Sequence, residues 1–567
     1  MPRSERSPFR PAALVAAGLA ASLLLSGCVR PAPRPGPSTT PTPHPFTTHT
    51  TPSASSSTTT SRPGADAFPL PTPKNVYTEA TSPDRSAGVG ATTAKVPGMV
   101  VAPGGGLNSY LTQKVDWADC PGTSDAGAPL PTQCASILAP LDWTKPDAQA
   151  ITLSMKMLPA TKQPALGDLF INPGGPGGSA KDYVDAFDTT GLEQYRIIGL
   201  DPRGSGDSTP VVCGTPEETD AYFDLDASPD DQAERDALLA ATRAFAAECA
   251  ANSGELLAHI STIEAVYDME MVRRLLGDSV LNYVGVSYGT FIGAVYTELY
   301  PQHVGHMVLD AAVNITDNQT IPQSAGFEVS FREYATWCAG TSSCARSFGT
   351  SADEVVTALK AWLGRLDASP LAVGSRELTE SLAVTGIAMF LYLGADVYSQ
   401  LTAALQWAVA RGDGQYLLRA ADALNGRNDK GTYDSLAYAF PAIMCLDSAD
   451  KGIADAWTQW ATDSAAYPFF GTLMGPGLVC PVWSVKPAPQ IDFSGAGAPP
   501  IVVIGGTGDN ATPYQYAQWM ADKLTSAVLV TRNGVGHGSY GQGNACVDSA
   551  VRDFLVADVV PGKGLTC

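Results

Sequence analysis

Positive charge is scarce in this chain: 35 Lys and Arg stand against 56 Asp and Glu, a formal net charge of −21. Nowhere do the basic residues gather. Nucleic acid is therefore excluded as a partner, because binding phosphates takes grouped Lys and Arg. The same deficit argues against a folded surface that adheres to anionic lipid; acidity of this size serves solubility. No Cys-x-x-Cys pair and no Cys/His group with zinc spacing occurs. No metal or organic cofactor is implied. Histidine is limited to six positions, which later permits an argument by elimination. From Pro31 to about Pro73 charge and aromatics almost vanish in favour of Pro, Thr and Ser. Such a stretch cannot bury a core.

Ahead of that stretch, Arg3, Arg6 and Arg10 precede an apolar run from Ala12 to Leu25. The run is too short and wrongly flanked for a transmembrane helix and reads as a secretory signal. It ends in Leu25-Ser26-Gly27-Cys28, which resembles a bacterial lipobox, in which the cysteine becomes the lipid-bearing first residue. Residues 1–28 are thus assigned to the signal, with Cys28 the lipidation site and membrane contact limited to this anchor. Residues 29–106 are expected to be a disordered tether that holds the folded part away from the membrane. The domain is expected to start near Leu107. The other ten cysteines, even in number in an exported chain, suggest disulfides. Nearest-neighbour pairing would close five modest loops, but sequence leaves the connectivity open.

Beyond Leu107 strand and helix signals alternate, which predicts an α/β fold with a mostly parallel sheet covered on both faces. Strands are expected at Ile151–Leu158, Leu169–Asn172, Arg196–Leu200, from Leu281, and at His306–Asp310. Helices are expected at Asp230–Ala250 and Ser261–Leu276, the second with Ser261 as N-cap and Glu264 at the capping-box position. From about Asn314 to Gly495 strand signal fades and amphipathic helices dominate, among them Ser351–Leu366 and Tyr398–Arg411. Strands resume at Pro500–Gly505 and Ala527–Thr531, and a last helix spans Ala545–Ala557. The chain thus divides into 107–313 and 496–567 as the two parts of one sheet domain, with 314–495 as a helical cap inserted before the penultimate strand. A cap there would lie over the strands' C-terminal ends, where ligands bind in open α/β sheets.

The run Leu281-Asn-Tyr-Val-Gly-Val-Ser-Tyr-Gly-Thr290 carries Gly-x-Ser-x-Gly between an apolar strand and a helix. That turn lifts the Ser287 hydroxyl clear of the sheet, and the helix N-terminus behind it offers N–H groups to an oxyanion. Ser287 needs a base. His44 and His49 lie in the tether, His259 precedes the nucleophile, and His303 and His306 begin a strand at the far end of the sheet. His537, in Gly534-Val-Gly-His-Gly-Ser539, follows the last strand, where the α/β-hydrolase order Ser, Asp, His places the base. Asp509, directly after the penultimate strand, is the orienting acid; Asp310, after the preceding strand, is its competitor. One oxyanion donor is the Tyr288 backbone N–H. The other belongs to the loop Asn172-Pro-Gly-Gly-Pro-Gly-Gly-Ser179, with four glycines in eight residues. Asp201-Pro-Arg-Gly-Ser-Gly-Asp-Ser208 lacks the Lys-Ser/Thr of a phosphate loop, so Asp201 and Arg203 are expected to pair with each other or with backbone and brace the site.

Pro173-Gly-Gly-Pro-Gly177, Asp201-x-Arg-Gly-x-Gly-x-Ser208, Gly285-x-Ser-Tyr-Gly289, Asp509-x-x-Thr-Pro513 and Gly536-His-Gly538 together resemble the secreted tripeptidyl aminopeptidases of actinobacteria. These are relatives of the proline iminopeptidases and include lipid-anchored serine proteases of the mycobacterial envelope. Ala139-Pro-Leu-Asp-Trp143 and Met444-Cys-Leu-Asp447 add to the likeness, which covers about Leu107 to Cys567. The resemblance implies Ser287 as nucleophile, Asp509 as acid, His537 as base, and Gly175 with Tyr288 as oxyanion donors. It implies peptide or protein substrates cleaved from a free N-terminus, hence a carboxylate for the substrate ammonium; Asp447, Glu328 and Glu333 are the candidates. Asn510-Ala511 departs from the Pro-Val common in relatives and touches only the pocket wall. An esterase or lipase on the same triad is the nearest alternative; a catalytically inactive envelope binding protein is the alternative of another class.

Overall fold

The computed structural model describes residues 68–77, 82, 84–85, 96–124 and 127–567. Cys28 and the secretory signal lie outside the described residues. One mixed sheet organises the domain, with strands β1 (Met99–Val101), β2 (Ala118–Asp119), β3 (Gln133–Pro140), β4 (Gln149–Leu158), β5 (Gly167–Asn172), β6 (Tyr195–Leu200), β7 (Leu281–Val286), β8 (Val304–Asp310), β9 (Ile501–Gly508), β10 (Ala527–Val535) and β11 (Leu565–Thr566). Their spatial order is β11-β10-β9-β8-β7-β5-β6-β4-β3-β2, with β1 added beside β4. From β6 to β11 every pairing is parallel, while β1 to β4 pair antiparallel. This is the α/β-hydrolase fold.

Sequence explains the arrangement. All six residues of β7 are buried, as are the first six of β9, so both read as unbroken apolar runs with helices on either face. The chain passes from β5 to β6 on one side and returns to β7 on the other. The crevice beside β5 and β7 is therefore the switch point at which such sheets bind ligands. Helices α1 (Ala180–Ala186), α2 (Thr262–Leu276) and α3 (Tyr288–Leu299) follow β5, precede β7 and follow β7 respectively. Ser261 caps α2 by accepting from Glu264 N, and Gly277 ends it in the left-handed conformation. The Glu264 side chain turns to His259 Nδ1 (2.9 Å) instead of closing a reciprocal capping box.

Between β8 and β9 lies the mainly helical insertion. It opens with α4 (Gln323–Gly340) and builds its own apolar core from residues such as Phe331, Leu359, Ile387, Leu391, Leu401 and Phe470. A short hairpin, Leu371–Val373 with Arg376–Leu378, interrupts the helices. The expected cap boundary needs revision at its end. Helix α5 (Leu436–Asp447), Trp483, Ile491 and Phe493 pack into the core of the sheet rather than that of the cap. Helical periodicity shows that a face is buried, not which core it joins.

The tether expectation is corrected wherever the structure describes that segment. Phe68 is buried and stacks on Trp143 at 5.2 Å. The Pro69 and Pro71 carbonyls accept from the Tyr300 and Tyr267 hydroxyls. Val76–Tyr77 pairs antiparallel with Gln490–Ile491, and β1 joins the sheet ahead of Leu107. A few apolar anchors and free backbone groups suffice to dock a chain whose composition cannot build a core of its own. Five disulfides join Cys120–Cys134, Cys213–Cys249, Cys338–Cys344, Cys445–Cys480 and Cys546–Cys567, each to its neighbour in sequence. Such a set belongs to an oxidising compartment, so the domain is exported. Among the described residues no helix is long and apolar enough to cross a membrane.

Candidate active site

Four loops converge at the C-terminal ends of β5, β7, β9 and β10. Ser287 sits between β7 and α3 with φ 57° and ψ −126°, a conformation of about 1–3 kcal/mol strain that the surrounding turn imposes. Its N–H is held by Asp310 O at 2.9 Å. The turn has no room for larger neighbours: a Cβ on Gly285 would stand 2.4 Å from Gly289 O, and one on Gly289 2.8 Å from Asn172 O. The two motif glycines are thus required by close approach of backbone.

His537 is buried, and its Nδ1 lies 2.9 and 3.1 Å from the two Asp509 oxygens. Asp509 is itself fixed by N–H donors from Ala511 (3.0 Å) and Thr512 (2.9 Å), with Gly538 N at 3.4 Å. With the Nδ1 proton directed at Asp509, Nε2 carries the free lone pair. That nitrogen is buried without a hydrogen-bond partner among the described residues, as a base awaiting a hydroxyl would be. The loop meets β7: a Cβ on Gly538 would lie 3.8 Å from Val286 Cγ1, one residue before Ser287. The remaining histidines among the described residues are engaged elsewhere, His259 with Glu264, His303 with Glu270 and His306 with Asp558.

Asp310, the competing acid, has different work. Its Oδ2 accepts from Ser539 N and Tyr540 N, both at 2.8 Å, and so pins the loop that carries His537. Burial pushes its carboxyl above the ordinary range.

On the other side of the turn, the glycine loop after β5 presses against Ser287. A Cβ on Gly174, at φ 97°, would stand 2.8 Å from Ser287 Cβ and 3.0 Å from Tyr288 N. Gly174 N–H is taken by Asn172 Oδ1 at 2.9 Å. Tyr288 opens α3, so its N–H has no partner within the helix. Asn172 and Gly174 are functional neighbours that sequence reasoning does not single out. Their place at the end of β5 and in the glycine loop was the available signal.

The loop 201–208 braces this arrangement, but Asp201 and Arg203 do not pair with each other. Asp201 accepts from Ser179 Oγ, Lys181 N and Asp207 N, and burial lifts its pKa to about 6. Arg203 is fully buried, forms a two-pronged pair with Asp268 at 2.7 and 2.6 Å, and donates to the carbonyls of Pro140, Leu141 and His259.

The insertion between β8 and β9 touches three of the loops. A Cβ on Gly326 of α4 would meet Asn510 O at 2.4 Å, so α4 lies directly on the acid loop. His537 N donates to Tyr392 O at 3.0 Å, and the Tyr392 ring meets the imidazole edge-on. Leu436 and Ala439 of α5 rest on Gly175 and Gly177.

The three ammonium-site candidates part company here. Glu328 is buried, its Oε2 accepting from Phe469 N and Phe470 N and its Oε1 from Arg332. Its carboxylate is consumed within the cap. Glu333 is exposed on α4, on the face opposite the buried residues of that helix. Glu328 is therefore corrected as an ammonium-binding candidate: helical spacing placed it in the cap but could not show which way it turns. Asp447, the last residue of α5, is half-buried and accepts from Thr262 N (2.9 Å) and Thr262 Oγ1 (2.5 Å). Thr262 Oγ1 also meets the Tyr288 hydroxyl, so Asp447 is two hydrogen bonds from the residue that follows Ser287. Burial raises its pKa to about 7, outweighing the hydrogen bonds from Thr262, and the nearby Glu264 carboxylate adds to the rise. No cation pairs with it among the described residues.

A family model described as TAP-like protein matches residues 467–567. Tripeptidyl aminopeptidase of Streptomyces lividans is 29% identical over 479 residues, 80% of this chain and 86% of that protein. Carboxylesterase B of Mycobacterium tuberculosis is 34% identical over 456 residues, 77% of this chain and 86% of that protein. Serine protease Hip1 of the same organism is 32% identical over 487 residues, 81% of this chain and 91% of that protein. Among solved structures, an α/β-hydrolase enzyme from a deep-sea metagenome library aligns at a TM-score of 0.33 and 10% identity, over 73% of this chain and 98% of that one. The fold assignment rests on the strand order. With relatives matched across most of their length, the chain belongs to the tripeptidyl aminopeptidase-like family of α/β-hydrolase serine hydrolases.

Proposed function

We propose that this enzyme is a serine exopeptidase that releases tripeptides from free N-termini. Ser287 attacks the scissile carbonyl while His537 Nε2 takes its proton. Asp509 holds the imidazole tautomer and stabilises the imidazolium. The oxyanion is received by the N–H groups of Gly175 and Tyr288. His537 then donates its proton to the leaving amine, and water activated by the same nitrogen hydrolyses the acyl-enzyme. The observation that carries the reading is the buried His537–Asp509 pair with Nε2 unpartnered among the described residues, in a loop that meets the strand ending at a strained Ser287. Asp447, a carboxylate with no cation among the described residues, is the group that receives the substrate α-ammonium. Cys28 anchors the exported domain through lipid.

The purified protein should cleave chromogenic tripeptide amides with a free N-terminus, cleave their N-acetylated forms poorly, and lose both activities in Ser287→Ala. Equal turnover of free and acetylated substrates would remove the exopeptidase part. Turnover of simple esters with none of peptide amides would establish the esterase alternative. Turnover of neither would favour the inactive binding protein.

A further inference from the structure

His537 stands in a loop that glycine leaves free to move. Gly536 (φ 97°) and Gly538 (φ 82°) flank it in conformations that glycine alone adopts readily, and Gly534 precedes them. The loop therefore depends on ties from outside. After the histidine, Asp310 takes the N–H groups of Ser539 and Tyr540. Before it, the Arg532 guanidinium donates through Nη2 to the carbonyls of Gly536 (2.6 Å) and Val535 (3.2 Å). A carboxylate thus collects amides on one side of the base, and a cation collects carbonyls on the other.

The sheet brings these two side chains to one face. Asp310 of β8 pairs with Ile504 of β9, and Gly506 of β9 pairs with Arg532 of β10. Residues paired in register, and residues two apart in one strand, point to the same side of a sheet. Gly506 lies next to Arg532 on that face. A Cβ there would stand 3.2 Å from Arg532 Nη2 and 3.6 Å from Asp509 Cβ, so glycine gives the guanidinium its room beside the acid. A half-buried guanidinium gains most from a carboxylate. Among the described residues none pairs with Arg532, and its Nε is buried without a partner. Its hydrogen bonds go instead to the backbone beside His537. Burial is the main influence raising the Asp310 carboxyl, and the Arg532 charge is among those that oppose it.

We propose that Arg532 is a positioning residue for the general base: with Asp310 it clamps the His537 loop from both sides, so that Nε2 stays directed at Ser287. The role rests on the triad reading above and goes beyond it, because Arg532 acts through Val535 and Gly536 rather than on a reacting atom. Loss of the guanidinium leaves two carbonyls without that donor in a glycine-flanked loop. A shift of the base by about 1 Å lowers kcat about 100-fold. Formation of the ground-state complex needs no proton transfer, so KM is spared.

The test separates kcat from KM in the full exported chain. Arg532→Met should lower kcat about 100-fold on a chromogenic tripeptide amide, with KM within about twofold. Arg532→Lys keeps the charge but not the fork, and should lose about tenfold. Guanidinium below denaturing concentration should restore part of the kcat of Arg532→Ala, and sodium chloride at equal ionic strength should not. Asp310→Ala frees the same loop. The double variant Arg532→Met/Asp310→Ala should therefore fall little below the worse single variant, not by about 10⁴-fold, the product of two independent losses. A readout independent of turnover is the downfield proton resonance of His537 Nδ1–H in its bond to Asp509. It should broaden in Arg532→Met and stay sharp in Arg532→Lys. Wild type that hydrolyses neither peptide amides nor esters, or that keeps its activity in Ser287→Ala, defeats the triad reading itself. An active wild type with kcat unmoved in Arg532→Met overturns the clamp alone. So does a loss that multiplies with that of Asp310→Ala, ignores guanidinium and leaves the Nδ1–H resonance sharp. Where Arg532→Met does not fold, Arg532→Lys decides, and a kcat equal to that of wild type overturns the clamp.

Discussion

Two carboxylates end adjacent strands near His537, and a pair of substitutions at Asp310 separates their roles. A single oxygen of Asp310, Oδ2, accepts from both Ser539 N and Tyr540 N, while Oδ1 has no partner among the described residues. In Asp310→Asn the amide oxygen takes the place of Oδ2 and keeps both bonds. The cost is one buried amide nitrogen, about 1–3 kcal/mol of stability, and kcat should stay within about tenfold. Asp310→Ala leaves two buried N–H groups unpaired, about 2–6 kcal/mol before relief from removing a desolvated carboxyl. The loop then relaxes, and a displacement of the base by about 1 Å costs about 100-fold in kcat. Asp509→Asn should cost about 10⁴-fold, because the amide cannot hold the productive tautomer. The assay is kcat on a chromogenic tripeptide amide, beside thermal melts of each variant. A loss of about 10⁴-fold in Asp310→Asn, with Asp509→Asn nearly active, would show that the acid had been misassigned.

Other consequences are as direct. Asp447 has a folded pKa of about 7, above the roughly 3.9 of an unfolded chain. Folding therefore takes up a proton there; the associated stability is present below about pH 4 and lost as pH rises through about 7. Asp447→Asn should melt higher than wild type at pH 8 and equally at pH 4, and an offset independent of pH would refute the assignment. Cys445 and Cys480 are separated by 35 residues, so replacing both by serine should cost about 4 kcal/mol by loop entropy; an unchanged melting temperature would contradict this. Arg203→Met should cost about 3–5 kcal/mol by stranding the buried Asp268 carboxylate. The double variant Arg203→Met/Asp268→Leu should recover most of that loss, and equal instability of the two would count against a lone-charge penalty.

What sequence could carry depended on whether the determinant was local. The strand before Ser287, its two glycines, Ser261 as a cap and the apolar runs of β7 and β9 are local patterns, and they were legible. Glycine content marked the loop after β5, but only packing shows that Gly174 abuts Ser287 while its N–H is spent on Asn172. The orientation of Glu328 depends on where residues 469 and 470 return, 141 and 142 positions later, and no period encodes that. Arg203 finds Asp268 across 65 residues for the same reason. The segment ahead of Leu107 misled because composition counts apolar residues, whereas docking used Phe68, Arg85 and a few carbonyls.

Labelling of the nucleophile tests the central claim most directly. Incubation of the enzyme with a serine-reactive phosphonate, followed by peptide mass mapping, should give one adduct, on Ser287. Its rate of formation should fall by several orders of magnitude in His537→Ala. An active enzyme labelled on another serine, or one in which His537→Ala reacts as fast as wild type, would contradict the account.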